Sequence, residues 1–124
     1  MDIKKILIVD DIFSNRLLLS SALETLGIPS KSVNDGQAAI ISLEKEDFSI
    51  VFMDIEMPVM NGLETVRYIR KEMFFPVKNM PVIALTAHNP SEYGKEIENA
   101  GFTEVLTKPY SIEKLQNLID KYLK

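Results

Sequence analysis

Short uninterrupted apolar runs alternate along this chain with stretches whose apolar residues recur every three or four positions. Ile6–Val9, Ile50–Met53 and Pro81–Leu85 are runs of the first kind, with weaker ones at Ser32–Val33 and Thr103–Thr107. Runs of that length and make-up predict strands buried on both faces, as in a parallel sheet. Between them the spacing is helical. Ser14 is placed to cap a helix carrying Leu18, Leu19, Ala22, Leu23 and Leu26, which Gly27 ends. A second helix runs from Gly36 to about Glu46 on Ala39, Ile40 and Leu43, and a third from Leu63 to about Met73 on Val66, Ile69 and Arg70. Asn89-Pro90 reads as a cap followed by proline at the first helical position, and Ala100-Gly101 as that helix's stop. Ser111 caps a last helix bearing Ile112, Leu115, Leu118, Ile119 and Tyr122. Five strand–helix units predict an α/β fold, a five-stranded parallel sheet with helices on both faces.

Composition narrows the class. The 124 residues suit one domain with a substantial core, and no repeat, low-complexity tract or linker divides them. The last helix uses the chain almost to Lys124, so the expectation is a single domain over residues 1–124 with no output domain. Apolar content of 46% and charged content of 26% are those of a globular protein, and no stretch approaches a membrane span. Lys4 and Lys5 precede only a four-residue apolar run, which is too short for a signal peptide. The absence of cysteine excludes disulfides and thiolate metal sites and fits the cytoplasm. A net charge of −4 argues against nucleic-acid binding, which needs a basic face.

The chemistry gathers at strand ends. Asp10-Asp11 close the first strand, Asp54 the third, Thr86-Ala87-His88 the fourth and Lys108-Pro109 the fifth. In an open parallel sheet those ends share one edge, where ligands bind. Carboxylates crowded there raise one another's pKa unless a cation neutralises them. Mg²⁺ suits the task, because it takes oxygen ligands, needs few carboxylates and keeps waters that a phosphoryl oxygen can replace. Lys108 adds a flexible point charge for the same group, and Thr86 a hydroxyl that can donate to it. The combination favours an aspartyl phosphate on Asp54.

These residues also carry a resemblance. Ile8-Val9-Asp10-Asp11, Met53-Asp54-Ile55-Glu56-Met57-Pro58-Val59-Met60-Asn61-Gly62, Ala84-Leu85-Thr86-Ala87 and Lys108-Pro109 occur in the order found in receiver domains of two-component response regulators. The chain resembles that family over essentially its whole length, and its wording is most similar to receivers of hybrid sensor kinases. The resemblance implies a flavodoxin-like (βα)5 fold of the CheY type with strand order 2-1-3-4-5. It also implies Asp54 as phosphoacceptor, and Mg²⁺ held by Asp11 directly, by Asp10 through water, by Asp54 and by the Glu56 backbone carbonyl. Thr86, Ala87 and Lys108 would contact the phosphoryl group, with a cis bond at Pro109 aiming the lysine inward. A histidine kinase or histidine phosphotransfer protein would be the donor, and the domain a monomer or a phosphorylation-dependent dimer. It would be a signalling phosphoacceptor, not a turnover enzyme, with slow autodephosphorylation.

Two positions need separate treatment. Glu56 and His88 lie two residues beyond Asp54 and Thr86, from where side chains could reach attacking water and set the phosphoaspartate lifetime. A loop histidine at the rim of the crevice is the plainer reading of His88. Many family members carry Tyr or Phe three residues before the lysine, whereas this chain has Val105, which is stiff and small. Tyr110 and Tyr93 are candidate substitutes or ordinary surface aromatics. Phe74-Phe75-Pro76 fits either the core or an exposed patch.

Three rival readings remain testable. An aspartyl-phosphate phosphohydrolase would carry Asp-x-Asp, which neither Asp10-Asp11-Ile12 nor Asp54-Ile55-Glu56 provides. A flavin binder of the same sheet would want a Ser/Thr/Gly-rich phosphate loop where Asp10-Asp11 stand. A degenerate receiver that only binds partners would be expected to lack one of the site residues, and all are present here.

Overall fold

The computed structural model describes residues 5–57, 60–87 and 90–123. Strands β1 (Lys5–Val9), β2 (Ser30–Val33), β3 (Phe48–Asp54), β4 (Val82–Thr86) and β5 (Glu104–Thr107) alternate with helices α1 (Phe13–Thr25), α2 (Gly36–Lys45), α3 (Gly62–Glu72), α4 (Pro90–Ala100) and α5 (Ile112–Leu123). A short 3-10 turn at Val77–Asn79 precedes β4. All strand pairs are parallel, and the sheet order is β2-β1-β3-β4-β5, as the resemblance implies.

Alternation along the strands builds a separate core on each face. Ile6, Ile8, Ile50, Phe52, Ile83 and Leu85 point to one face, where Leu19 and Leu23 of α1 and Leu115 and Ile119 of α5 cover them. Leu7, Val9, Val51, Met53, Val82 and Ala84 point to the other, under Ala39 and Leu43 of α2, Val66 and Ile69 of α3 and Ile97 of α4. The buried stripe of α1 is narrower than its sequence suggests. Leu18, expected on the apolar face, is 69% exposed, and Ile112 of α5 is also exposed. Leu18 precedes Leu19 by one residue, about 100° round the helix, and so points away from the sheet.

The helix ends follow local chemistry. Asp35 caps α2 through the Ala38 amide at 2.7 Å. Asn61 and Glu64 exchange side chain-to-amide bonds of 2.9 and 3.1 Å across the first turn of α3, a capping box. Ser111 Oγ accepts from the Lys114 amide at the start of α5. Ser14 does not cap α1. That helix begins at Phe13, one residue earlier, and Ile12 in the cap position makes no side-chain bond. The Asp10 carboxylate instead accepts the Ile12 amide at 3.0 Å, so the acid at the strand end takes over a donor at the helix entrance. The proposed Asn89 cap lies outside the described residues. At the other end of α1, Gly27 (φ +76°) donates to Glu24 O, and Ile28 donates to Leu23 O, the paired bonds of a Schellman turn.

Candidate functional site

The Cα register brings the strand ends to one edge, and the functional side chains with them. Asp54 is the last residue of β3 and 6% exposed, while Asp10, just past β1, is 2% exposed. Asp11 beside it faces solvent. The three offer carboxylate oxygens that all lie within 4.8 Å of one another, the geometry of a potential cation site. Lys108 Nζ reaches Asp10 Oδ2 at 3.4 Å from the end of β5. The Glu56 amide donates to Asp54 Oδ1 at 3.2 Å.

Burial dominates the electrostatics of Asp54. It pushes the carboxyl up from 3.8 to about 6, against the pull of Lys108; the nearby charges of Asp10 and Asp11 add to the rise, and the Glu56 amide opposes it. A buried carboxyl raised by its acidic neighbours is one whose charged form a divalent cation would relieve. The donors that converge are all carboxylate oxygens, which suits Mg²⁺, an ion that takes few protein ligands and keeps several waters.

Backbone packing fixes these side chains. The Ile55 amide donates to Leu85 O and the Lys108 amide to Thr86 O, at 3.2 and 2.8 Å, so the loops leaving β3 and β5 are both tied to β4. Thr86 ends β4, buried, and pairs in register with Thr107. Ala87 follows, exposed. The Lys108–Pro109 peptide bond is cis, as is Phe75–Pro76. Gly62 at the start of α3 leaves no room for a side chain. A Cβ there would lie 2.5 Å from Asp54 O and 2.8 Å from Ile55 Cα. The Asn61-Gly62 pair thus brings the capped end of α3 directly against the backbone that carries Asp54.

Other expected residues are placed more loosely. Glu56 is exposed at the rim, and its amide is bound to Asp54. His88 and the Tyr93 side chain lie outside the described residues, as do Pro58 and Val59. Val105 sits opposite Ala84, one pleat below Thr86, partly buried against the core under α2, α3 and α4. Tyr110 is partly buried against the opposite core, and burial, with the charge of Asp10, raises its phenol.

The sequence did not single out the rim of α1. Ile12, Phe13, Leu17 and Leu18 are each about half exposed or more, and Leu18 joins Asn15, Tyr110 and Pro109 around a cavity of about 400 Å³ that opens beside Asp10 and Lys108. Two leucines outside the α1 stripe were the available signal, obscured because a run of three leucines hides which one faces inward.

Comparison with known proteins agrees with this picture. Residues 6–120 match the response regulator receiver domain family. The chain is 34% identical over 119 residues to the sensor protein GacS of Pseudomonas syringae, covering 95% of this chain but 13% of that protein. It is 34% identical to chemotaxis protein CheY-3 of Vibrio cholerae, covering 94% of this chain and 89% of that one. Among solved structures it is similar to the receiver domain of sensor histidine kinase PA1611 from Pseudomonas aeruginosa, which has a magnesium ion coordinated in its active site cleft (TM-score 0.88, 29% identity, 97% of each chain). The chain spans 13–17% of the length of the sensor kinases it matches.

Proposed function

Because this chain belongs to the response regulator receiver family, we propose that Asp54 accepts a phosphoryl group from the phosphohistidine of a kinase or phosphotransfer protein. The observation that carries the reading is the convergence of Asp10, Asp11 and Asp54 within 4.8 Å, with Lys108 on Asp10. One Asp54 oxygen attacks phosphorus in line as the P–N bond to the donor imidazole breaks, and the imidazole leaves with the bonding pair. The side chains of Asp10, Asp11 and Asp54 and the Glu56 carbonyl would hold Mg²⁺. When bound, the ion offsets charge on the equatorial phosphoryl oxygens. Lys108 swings from Asp10 onto the phosphoryl group, and the Thr86 hydroxyl and Ala87 amide donate to it. The new group brings nearly two negative charges, and these bias the loop after β4 toward a second arrangement.

The exposed apolar rim of α1 and its adjoining cavity support a helical donor. A helix packed on Phe13, Leu17 and Leu18 sets a histidine over the Asp54 crevice. This is a signalling role at the family level; slow self-hydrolysis, with Glu56 and His88 tuning its rate, and a cytoplasmic location complete the proposal. Among the described residues no helix is long and apolar enough to cross a membrane. Intact-mass measurement after phosphoramidate and Mg²⁺ tests the central step. One added phosphoryl group, absent from Asp54→Asn, is the expected result; modification that persists in that variant overturns it.

A further inference from the structure

The loop after α3 presents the most exposed large apolar residues described in the molecule. Phe74 is 88% and Phe75 78% exposed, and Tyr68 one turn back along α3 is 41% exposed. Between them and the end of α2 lies a groove of about 490 Å³, floored by Leu43, Met73 and Val77. Those floor residues are packed against the core beneath α2 and α3, so the groove has a firm base. Exposed aromatics over such a base are unusual on a soluble domain and mark a contact surface. α3 runs back from the Asp54 edge, which puts this groove at the opposite edge of the sheet, away from the phosphoacceptor.

Charge selects the occupant. The charged residues lining the groove are Glu44 and Glu72, both exposed carboxylates. Lys45 follows Glu44 and Lys71 precedes Glu72, each about 100° round its helix from the acid. Two copies meeting groove to groove would set these acids against their equivalents, and each chain already carries a net −4. An anionic lipid surface would be repelled for the same reason. We infer that the groove docks a segment of another protein carrying a large apolar side chain flanked by Lys or Arg. The apolar side chain enters between Phe75 and Tyr68, and the cations pair with Glu44 and Glu72. Docking here leaves the Asp54 edge open, so the partner is held in both phosphorylation states.

The test selects a random twelve-residue peptide library on the protein, with counter-selection on Phe74→Ser/Phe75→Ser. Both residues are exposed, so that variant keeps its fold, which its circular dichroism checks. The expected peptides carry an aromatic or leucine next to Lys or Arg and shift amide signals of α2, α3 and the loop at 74–77. They bind at least tenfold more weakly to the double variant and to Glu44→Lys/Glu72→Lys, and equally well to Asp54→Asn. Acidic or neutral consensus peptides, shifts confined to the Asp54 edge, or equal binding to the serine variant would each overturn the proposal. So would Phe-dependent dimerisation in sedimentation, or Phe-dependent binding to phosphatidylcholine–phosphatidylglycerol vesicles with no peptide enriched.

Discussion

Asp54 is expensive to ionise before its phosphoryl chemistry begins. Burial lifts its carboxyl to about 6, so in metal-free protein the ionised form is disfavoured relative to the unfolded chain, where it titrates near 3.8. A carboxyl raised on folding contributes stability below the unfolded pKa and loses it as pH climbs through about 6. Replacing it with Asn removes that loss. Without metal, Asp54→Asn is therefore expected to gain at most about 3 kcal/mol at pH 8, reduced by solvent screening at the open side of the site, and nothing near pH 3, as read by urea unfolding at both values. Wild-type stability that is flat from pH 4 to 8 would contradict the assignment. The direction was legible in the sequence as crowded acids; the leading part of burial was not, because it depends on how tightly β3 is enclosed.

At the level of elements, α1 carries both the clearest error of sequence reading and a prediction. Periodicity located the helix, but its three consecutive leucines left the inward direction undetermined, and Ser14 suggested a cap that Asp10 partly replaces. The outward rim that results is the proposed donor surface. Leu18→Glu is expected to slow transfer from a phosphohistidine protein by tenfold or more while leaving modification by phosphoramidate unchanged. Equal slowing with both donors would place Leu18 in the chemistry and not in docking. Arg70 was a second element-level surprise. Read as part of an apolar stripe, it is a half-buried guanidinium that donates to Gly101 O, Met80 O and Lys78 O at 2.7–2.9 Å and to Thr103 Oγ1 at 3.2 Å. Spacing put it on the inward side of α3, but nothing in the sequence announced three carbonyls waiting there.

For the whole molecule, the two-sided core and the strand order were legible because continuous apolar runs and right-handed crossovers leave few alternatives. The site was legible because four motifs lie at strand ends that such a sheet must gather. What the sequence left open was surface: which aromatics are covered, and by what. Linkage gives the global prediction. A cation that binds the folded acid cluster and not the unfolded chain raises stability by about 1.4 kcal/mol at ten times its dissociation constant. Mg²⁺ is expected to raise the unfolding midpoint of the wild type, and to do so far less in Asp11→Ala, as thermal melts would show. An equal rise in both would remove the acids from the metal site.

The Arg70 clamp has a mechanical side. It grips the carbonyl of Gly101, immediately after α4, where φ is +114° and a side chain would strike Arg70 Cγ at 2.7 Å. The other end of α4 begins just beyond Thr86, where the proposed phosphoryl signal would arrive. A rod anchored at one end and pushed at the other can swing but cannot slide. With Val105 too small to act as a rotating ring, a phosphoryl signal of the kind proposed would leave this domain as an angle, the tilt of α4 about the end that Arg70 holds.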